Sequence, residues 1–161
     1  MLLVEADISQ EWDRSTDWAA VAEQAVRAAI AHSRHFGLAQ RDAEVSVKFT
    51  TDEEVLSLNA TWRGKDAATN VLSFAMADDP TAAPLLGDVV LAHGVCAREA
   101  EGKGIAVEHH AAHLVVHGTL HLLGYDHETS DEDAEEMEEV ERRALAAIGI
   151  ADPYQVTEVQ P

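Results

Sequence analysis

The sequence predicts a single α/β (α+β) domain, with a mixed sheet of about four strands packed with about five helices. Three observations predict it. Short stretches of alternating polarity or β-branched residues are interleaved with longer stretches of helical period, in the order strand, helix, strand, helix, strand, strand, then helices only. The 161 residues are enough for one core, and no internal repeat or long linker divides them. One helix in the last third is apolar on two sides and so belongs at the centre of the packing, where it carries the metal site argued below.

The elements follow in order. Leu2 to Ile8 alternates apolar and acidic residues and reads as a strand. Asp17 to Phe36 is a helix, with Val21, Ala25, Ala28, Ala29 and His32 at helical spacing and Gly37 as its stop. Glu44 to Phe49 is a second strand through Val45, Val47 and Phe49. Thr51 with Glu54 forms a capping box, so a helix runs from Thr51 to about Arg63, with Val55, Leu58 and Trp62 as its stripe. Gly64 to Asn70 is a loop and Val71 to Ala75 a strand. Asp78 to Pro84 is a loop, Gly87 to Ala92 a strand, and Val95 to Glu101 a short helix ended by Gly102-Lys103-Gly104. Val107 to Leu123 is the central helix. An acidic helix continues to Ile148, with Met137, Val140, Ala144, Leu145 and Ile148 buried and the carboxylates solvated. The domain spans 1–161, with 151–161 expected as a loose tail.

Composition narrows the function. The net charge of −19 argues against a broad phosphate-binding surface, so any anion site must be local. The cations that could build one, including Arg27, Arg34, Arg41, Lys48, Arg63, Lys65, Arg98 and Lys103, lie in the middle of the chain. No apolar stretch reaches the ~18 residues of a membrane span. The first residues, Met1 to Asp7, lack a basic region and are not expected to be a secretory signal. The single Cys96 suits a reducing, cytoplasmic compartment and reads as a small buried residue.

The chemistry is carried by His117, His121 and His127, spaced H-x3-H-x5-H. Residues four apart on a helix share a face, so His117 and His121 can reach one ion at about 2.0–2.1 Å. Gly124 can end the helix in the left-handed conformation and let His127 turn back to the same ion. Three imidazoles leave one tetrahedral position open, as in a catalytic zinc site. His109 and His113 continue the series, but each helical turn advances about 5.4 Å, so one ion cannot serve them all. His113 is read as a supporting or packing residue, and His109 and His110 as surface residues. A shift of one turn, with His113 and His117 as ligands, would strand His127.

A metalloprotease helix reads H-E-x-x-H, with Glu as general base; Gly118 stands in that place here. Phosphodiester cleavage depends more on charge stabilisation, and the partner wanted is a cation. Arg63, at a helix end, can grip phosphate in bidentate fashion, with Lys65 beside it; a charge on the helix dipole is the plainer alternative.

Three blocks carry a resemblance. Leu58-Asn59, Trp62-Arg63-Gly64-Lys65-Asp66 and Thr69-Asn70-Val71-Leu72-Ser73-Phe74 form the first. Leu86-Gly87-Asp88-Val89-Val90-Leu91 is the second. His113-Leu114 with His117 to His127 is the third. In this order they resemble the YbeY family of bacterial endoribonucleases, also called rRNA maturation factors. Trp62 and Asn70 stand where Tyr and Asp are common in it. The resemblance implies a zinc-dependent, single-strand-specific endoribonuclease. It would act in maturation of the 3′ end of the small-subunit (16S) rRNA and in ribosome quality control. It implies one Zn2+ per chain on His117, His121 and His127, with Arg63 and His117 catalytic and Arg63 and Lys65 binding RNA. Expected partners are single-stranded RNA, the small ribosomal subunit, and a ribosomal protein or assembly GTPase; membrane and DNA are not expected.

Asp126 and Glu128 are read either as carboxylates that orient an imidazole or as acidic surface. Thr69, Asn70 and Ser73 are read as cleft or turn residues, and Gly87 and Asp88 as a turn into the strand. Two other functions remain open: a non-catalytic ribosome assembly factor with a structural metal, and a metzincin-like metallohydrolase of other substrates.

Overall fold

The computed structural model describes residues 1–82 and 84–154. Four strands form one mixed sheet: β1 (Leu2–Ile8), β2 (Ala43–Thr50), β3 (Val71–Ala75) and β4 (Leu85–Ala92). Their spatial order is β1-β2-β4-β3. The first two pairs are parallel, and β3 runs antiparallel to β4. The helices are α1 (Trp18–His32), α2 (Asp52–Arg63), α3 (His93–Lys103), α4 (Val107–Leu122) and α5 (Asp131–Ala147). The predicted fold class is therefore observed, with four strands and five α-helices among the described residues.

Period-two side chains divide the sheet into two unlike faces. Val45, Val47, Phe49, Val89 and Leu91 point into the main core, beneath α1, α4 and α5. Leu72, Val90 and Ala92 point the other way and meet Val55 and Leu58 of α2. The central helix α4 is buried along most of its length and packs on β3, β4 and α1. It therefore holds its histidines against a rigid platform.

Three boundaries differ from expectation for local reasons. Helix α1 ends at His32, not Phe36, because Ser33 turns extended and its backbone N–H and hydroxyl both donate to the Ile30 carbonyl. A short 3-10 turn, Phe36–Gln40, follows and contains Gly37. Helix α3 starts two residues early, at His93, and runs to Lys103. Asp52, from the start of α2, accepts hydrogen bonds from the Gly94 and Val95 amides at 2.8 and 3.2 Å, serving its free N–H groups. Gly87 is not a turn residue but lies within β4, opposite Ala75. Its φ of 147° and a built β-carbon only 2.8 Å from Leu122 Cδ2 explain glycine there, where α4 presses on the sheet.

The expected loose tail is corrected in its first part. Tyr154 is half-buried against α4 and α5, as described below, while residues 155–161 lie outside the described residues. Cys96 is fully buried, as expected, and burial pushes its thiol up to about 12. A thiol reagent at pH 8 is accordingly expected to leave Cys96 unmodified in folded protein and to label it fully in denaturant. Rapid native labelling would contradict this packing.

Candidate metal centre

Helix α4 and the turn after it build the site. The Gly124 amide donates to the His121 carbonyl at 3.1 Å and the Tyr125 amide to the Leu120 carbonyl at 3.0 Å. With Gly124 at φ 93°, this is the paired closure that reverses a chain at a helix end. Tyr125 then anchors the turn: its hydroxyl accepts the Arg34 amide at 2.9 Å, and the Arg34 guanidinium lies 3.9 Å above its ring. Two residues on, His127 faces back toward the helix.

The three predicted histidines meet. Each offers a ring nitrogen, and these nitrogens lie within 4.8 Å of one another. Nδ1 of His121 is taken by the Tyr125 carbonyl at 2.9 Å, and Nδ1 of His117 by both Glu141 oxygens at 3.3 Å. The two Nε2 atoms are left facing each other, 3.0 Å apart. Two imidazole lone pairs that close repel unless a cation sits between them. The spacing is near the ~3.3 Å expected for two nitrogens on one tetrahedral ion. Burial, and then the adjacent His117, hold the His121 imidazole below its ordinary pKa, which favours the neutral form that a ligand needs. The donor set fits a metal ion, and half-exposed His127 leaves the site open on one side.

A cleft of about 720 Å3 joins the three histidines to Arg63, Thr69, Asn70, Ser73, Asp126 and Glu128. Arg63, at the end of α2, donates to the Ser73 carbonyl and lies 5.2 Å over the Phe74 ring. The Ser73 hydroxyl donates to the Gly118 carbonyl at 2.9 Å, tying β3 to α4. Asn70 is held by Glu99 at 3.0 Å. Lys65 lies just past α2 and is not among the residues lining this cleft. Trp62 faces a separate groove on the opposite side of the sheet, with Phe74 and Met76.

One reading needs correction, and the structure favours the acidic-surface alternative for Asp126 and Glu128. His110 is not a surface residue: it is 1% exposed, and its Nε2 lies 2.8 Å from Glu99 of α3. Neither Asp126 nor Glu128 orients an imidazole at hydrogen-bond distance. Asp126 accepts the Glu128 amide at 2.8 Å, and Glu128 stays 3.9 Å from His127. The carboxylate that does hold an imidazole is Glu141, read from sequence as one more solvated acid. It is 0% exposed. Burial pushes its carboxyl up, but hydrogen bonds from His113 and His117 outweigh this and bring it down to about 2. Its position carried a signal, since it falls within the stripe of Met137, Val140, Ala144 and Leu145 rather than on the opposite face.

A central helix that presents converging imidazoles on an open side, with a guanidinium across the cleft, defines a hydrolase suited to an anionic substrate. The comparisons with known proteins agree. The family model described as Endoribonuclease YbeY matches residues 7–149. Two relatives carry that same name. The one from Novosphingobium aromaticivorans is 51% identical, over 96% of each chain. The one from Rhizorhabdus wittichii is 48% identical, over 98% of this chain and 99% of its own. A solution structure from Thermotoga maritima shares the fold, with a TM-score of 0.61 and 22% identity over 92% of this chain and 89% of its own. The chain belongs to the endoribonuclease YbeY family and is an enzyme that cleaves RNA.

Proposed function

We propose that this enzyme is a single-strand-specific endoribonuclease of rRNA maturation, acting at the 3′ end of the small-subunit RNA and in ribosome quality control. It would use one zinc ion held by His117, His121 and His127. The observation that carries this reading is the convergence of three imidazole nitrogens in one cleft with Arg63. When bound, the ion supplies Lewis-acid charge beside the scissile phosphate. Arg63 exchanges its resting bond to the Ser73 carbonyl for phosphate oxygens and offsets the negative charge that grows in the transition state. His117 serves catalysis by holding the ion. Lys65, just outside the cleft, contacts the RNA backbone beyond the cleavage site.

Among the described residues, no helix is long and apolar enough to cross a membrane; the cytoplasmic setting is proposed from the single free Cys96, which suits a reducing compartment. With a net charge of −19, the chain gains little from general attraction to RNA. A ribosomal protein or assembly GTPase on the small subunit would supply the missing affinity.

The test is cleavage of a single-stranded RNA spanning the 3′ end of the small-subunit RNA. Wild type, Arg63→Ala and His121→Ala would be compared, each purified from nuclease-deficient cells and assayed for metal. Loss of cleavage in both variants, with Arg63→Ala folded and zinc-bound, supports the reading. Equal cleavage by all three points to a contaminant and favours a non-catalytic assembly factor. Product ends identify the nucleophile, since a 2′,3′-cyclic phosphate requires attack by the ribose 2′-OH.

A further inference from the structure

We propose that Glu141 and Tyr154 are positioning residues for His117, so that the segment after α5 sets how tightly the histidine triad holds its ion. This rests on the reading of the triad as a metal site.

Glu141 is a buried carboxylate with an unusual set of partners. Among the described residues, no Lys or Arg lies within ion-pair distance of it; its partners are His113, His117 and Tyr154. The Tyr154 hydroxyl donates to its two oxygens at 2.6 and 3.0 Å. His113 Nε2 lies 3.4 Å from one of them. Burial and the adjacent Glu141 push the Tyr154 phenol up, so it remains a donor. With the carboxylate's rotation fixed in this way, its oxygens face Nδ1 of His117.

An ionised carboxylate only accepts hydrogen bonds, so Nδ1 of His117 must carry the proton and Nε2 must carry the lone pair. A carboxylate behind a ligating imidazole also raises its basicity. Removing an isolated charge from water is unfavourable unless charge or hydrogen bonds compensate it. A divalent ion on the far nitrogen of the same ring supplies compensating charge where no Lys or Arg does.

Tyr154 is itself pinned. Its amide donates to Asp152 at 2.8 Å, and Asp152 pairs with Arg142 of α5 at 3.3 Å. Arg142 is the neighbour of Glu141 in sequence and lies 6.0 Å from the Tyr154 ring. The segment from Asp152 to Tyr154 is thus folded back beside the carboxylate that it steadies.

The experiment measures zinc dissociation constants by chelator competition on the full chain, and visible absorption after cobalt substitution. The variants are Glu141→Ala, Glu141→Gln, Tyr154→Phe, His121→Ala and, as a destabilised control in α1, Val26→Ala. We expect Glu141→Ala to weaken zinc by about 10–100-fold. Glu141→Gln and Tyr154→Phe should fall between it and wild type. The cobalt spectrum should shift in both Glu141 variants. Val26→Ala should lose thermal stability and keep wild-type affinity. If Glu141→Ala does not fold, Glu141→Gln and Tyr154→Phe decide. Wild-type zinc affinity in the folded Glu141 and Tyr154 variants overturns the inference alone, provided that His121→Ala loses zinc. A wild type that binds zinc no better than His121→Ala overturns the metal site, and this inference with it.

Discussion

Arg63→Ala should lower RNA cleavage by about 100- to 1,000-fold, the usual cost of removing one preorganised charge donor from a transition state. The guanidinium sits in the cleft with the three histidines, and its resting partner is a backbone carbonyl rather than a carboxylate. It can leave that partner for phosphate without breaking an ion pair. The side chain is exposed at the end of α2, so its loss opens no core cavity. Zinc content and melting temperature should therefore stay near wild type, and the deficit should appear in kcat/KM. Arg63→Lys should recover only part of the rate, since an ammonium cannot form the two parallel bonds of a guanidinium. Full activity in a nuclease-free preparation of Arg63→Ala would remove Arg63 from the mechanism.

The second large effect concerns stability. Gly118 faces the sheet, and a β-carbon built there would lie 2.7 Å from Val89 Cγ1 and 2.9 Å from the Ser73 hydroxyl. Gly118→Ala should cost about 1–3 kcal/mol of overpacking. In a domain of this size each kcal/mol lowers the melting temperature by roughly 2–4 °C. Gly118→Glu, which restores the letters of a metalloprotease helix, should do far worse. It pushes α4 off β4 and leaves a carboxylate without a partner, at a further cost of several kcal/mol. Thermal unfolding of the two variants checks both; a Gly118→Glu protein that melts like wild type would show that α4 does not sit this close to the sheet. A glutamate here would point into the sheet rather than toward the ion, so the metalloprotease reading weakens on geometry as well as on composition.

The triad was legible because the three ligand positions are set locally. Helical spacing, the stop at Gly124 and the return to His127 lie within one short stretch of chain. The elements were legible for the same reason, down to the Thr51 cap, whose hydroxyl accepts the Glu54 amide at 3.2 Å. What escaped depends on distant partners. His110 is buried because Glu99 arrives from α3, and the order of the strands is set by packing that no local pattern records. Glu141 was hidden by its company: in a dense acidic run, one carboxylate on the apolar stripe reads like its neighbours. The end of α1 was misplaced because Ser33 ends it through its own hydrogen bonds, before Gly37.

The same contrast between local and distant parts bears on how the enzyme matures. His117, His121 and His127 come from one helix and its closing turn, a stretch of low contact order, whereas the carboxylate behind His117 arrives only when α5 packs on α4. Arg63 reaches the cleft only when β3 has paired with β4 and α4 has settled on both. Tight metal binding therefore reports α4 and α5 docked together, whereas cleavage also requires α2 and β3 in place. A chain with α4 and α5 docked but β3 unpaired would hold its ion and still be harmless to RNA.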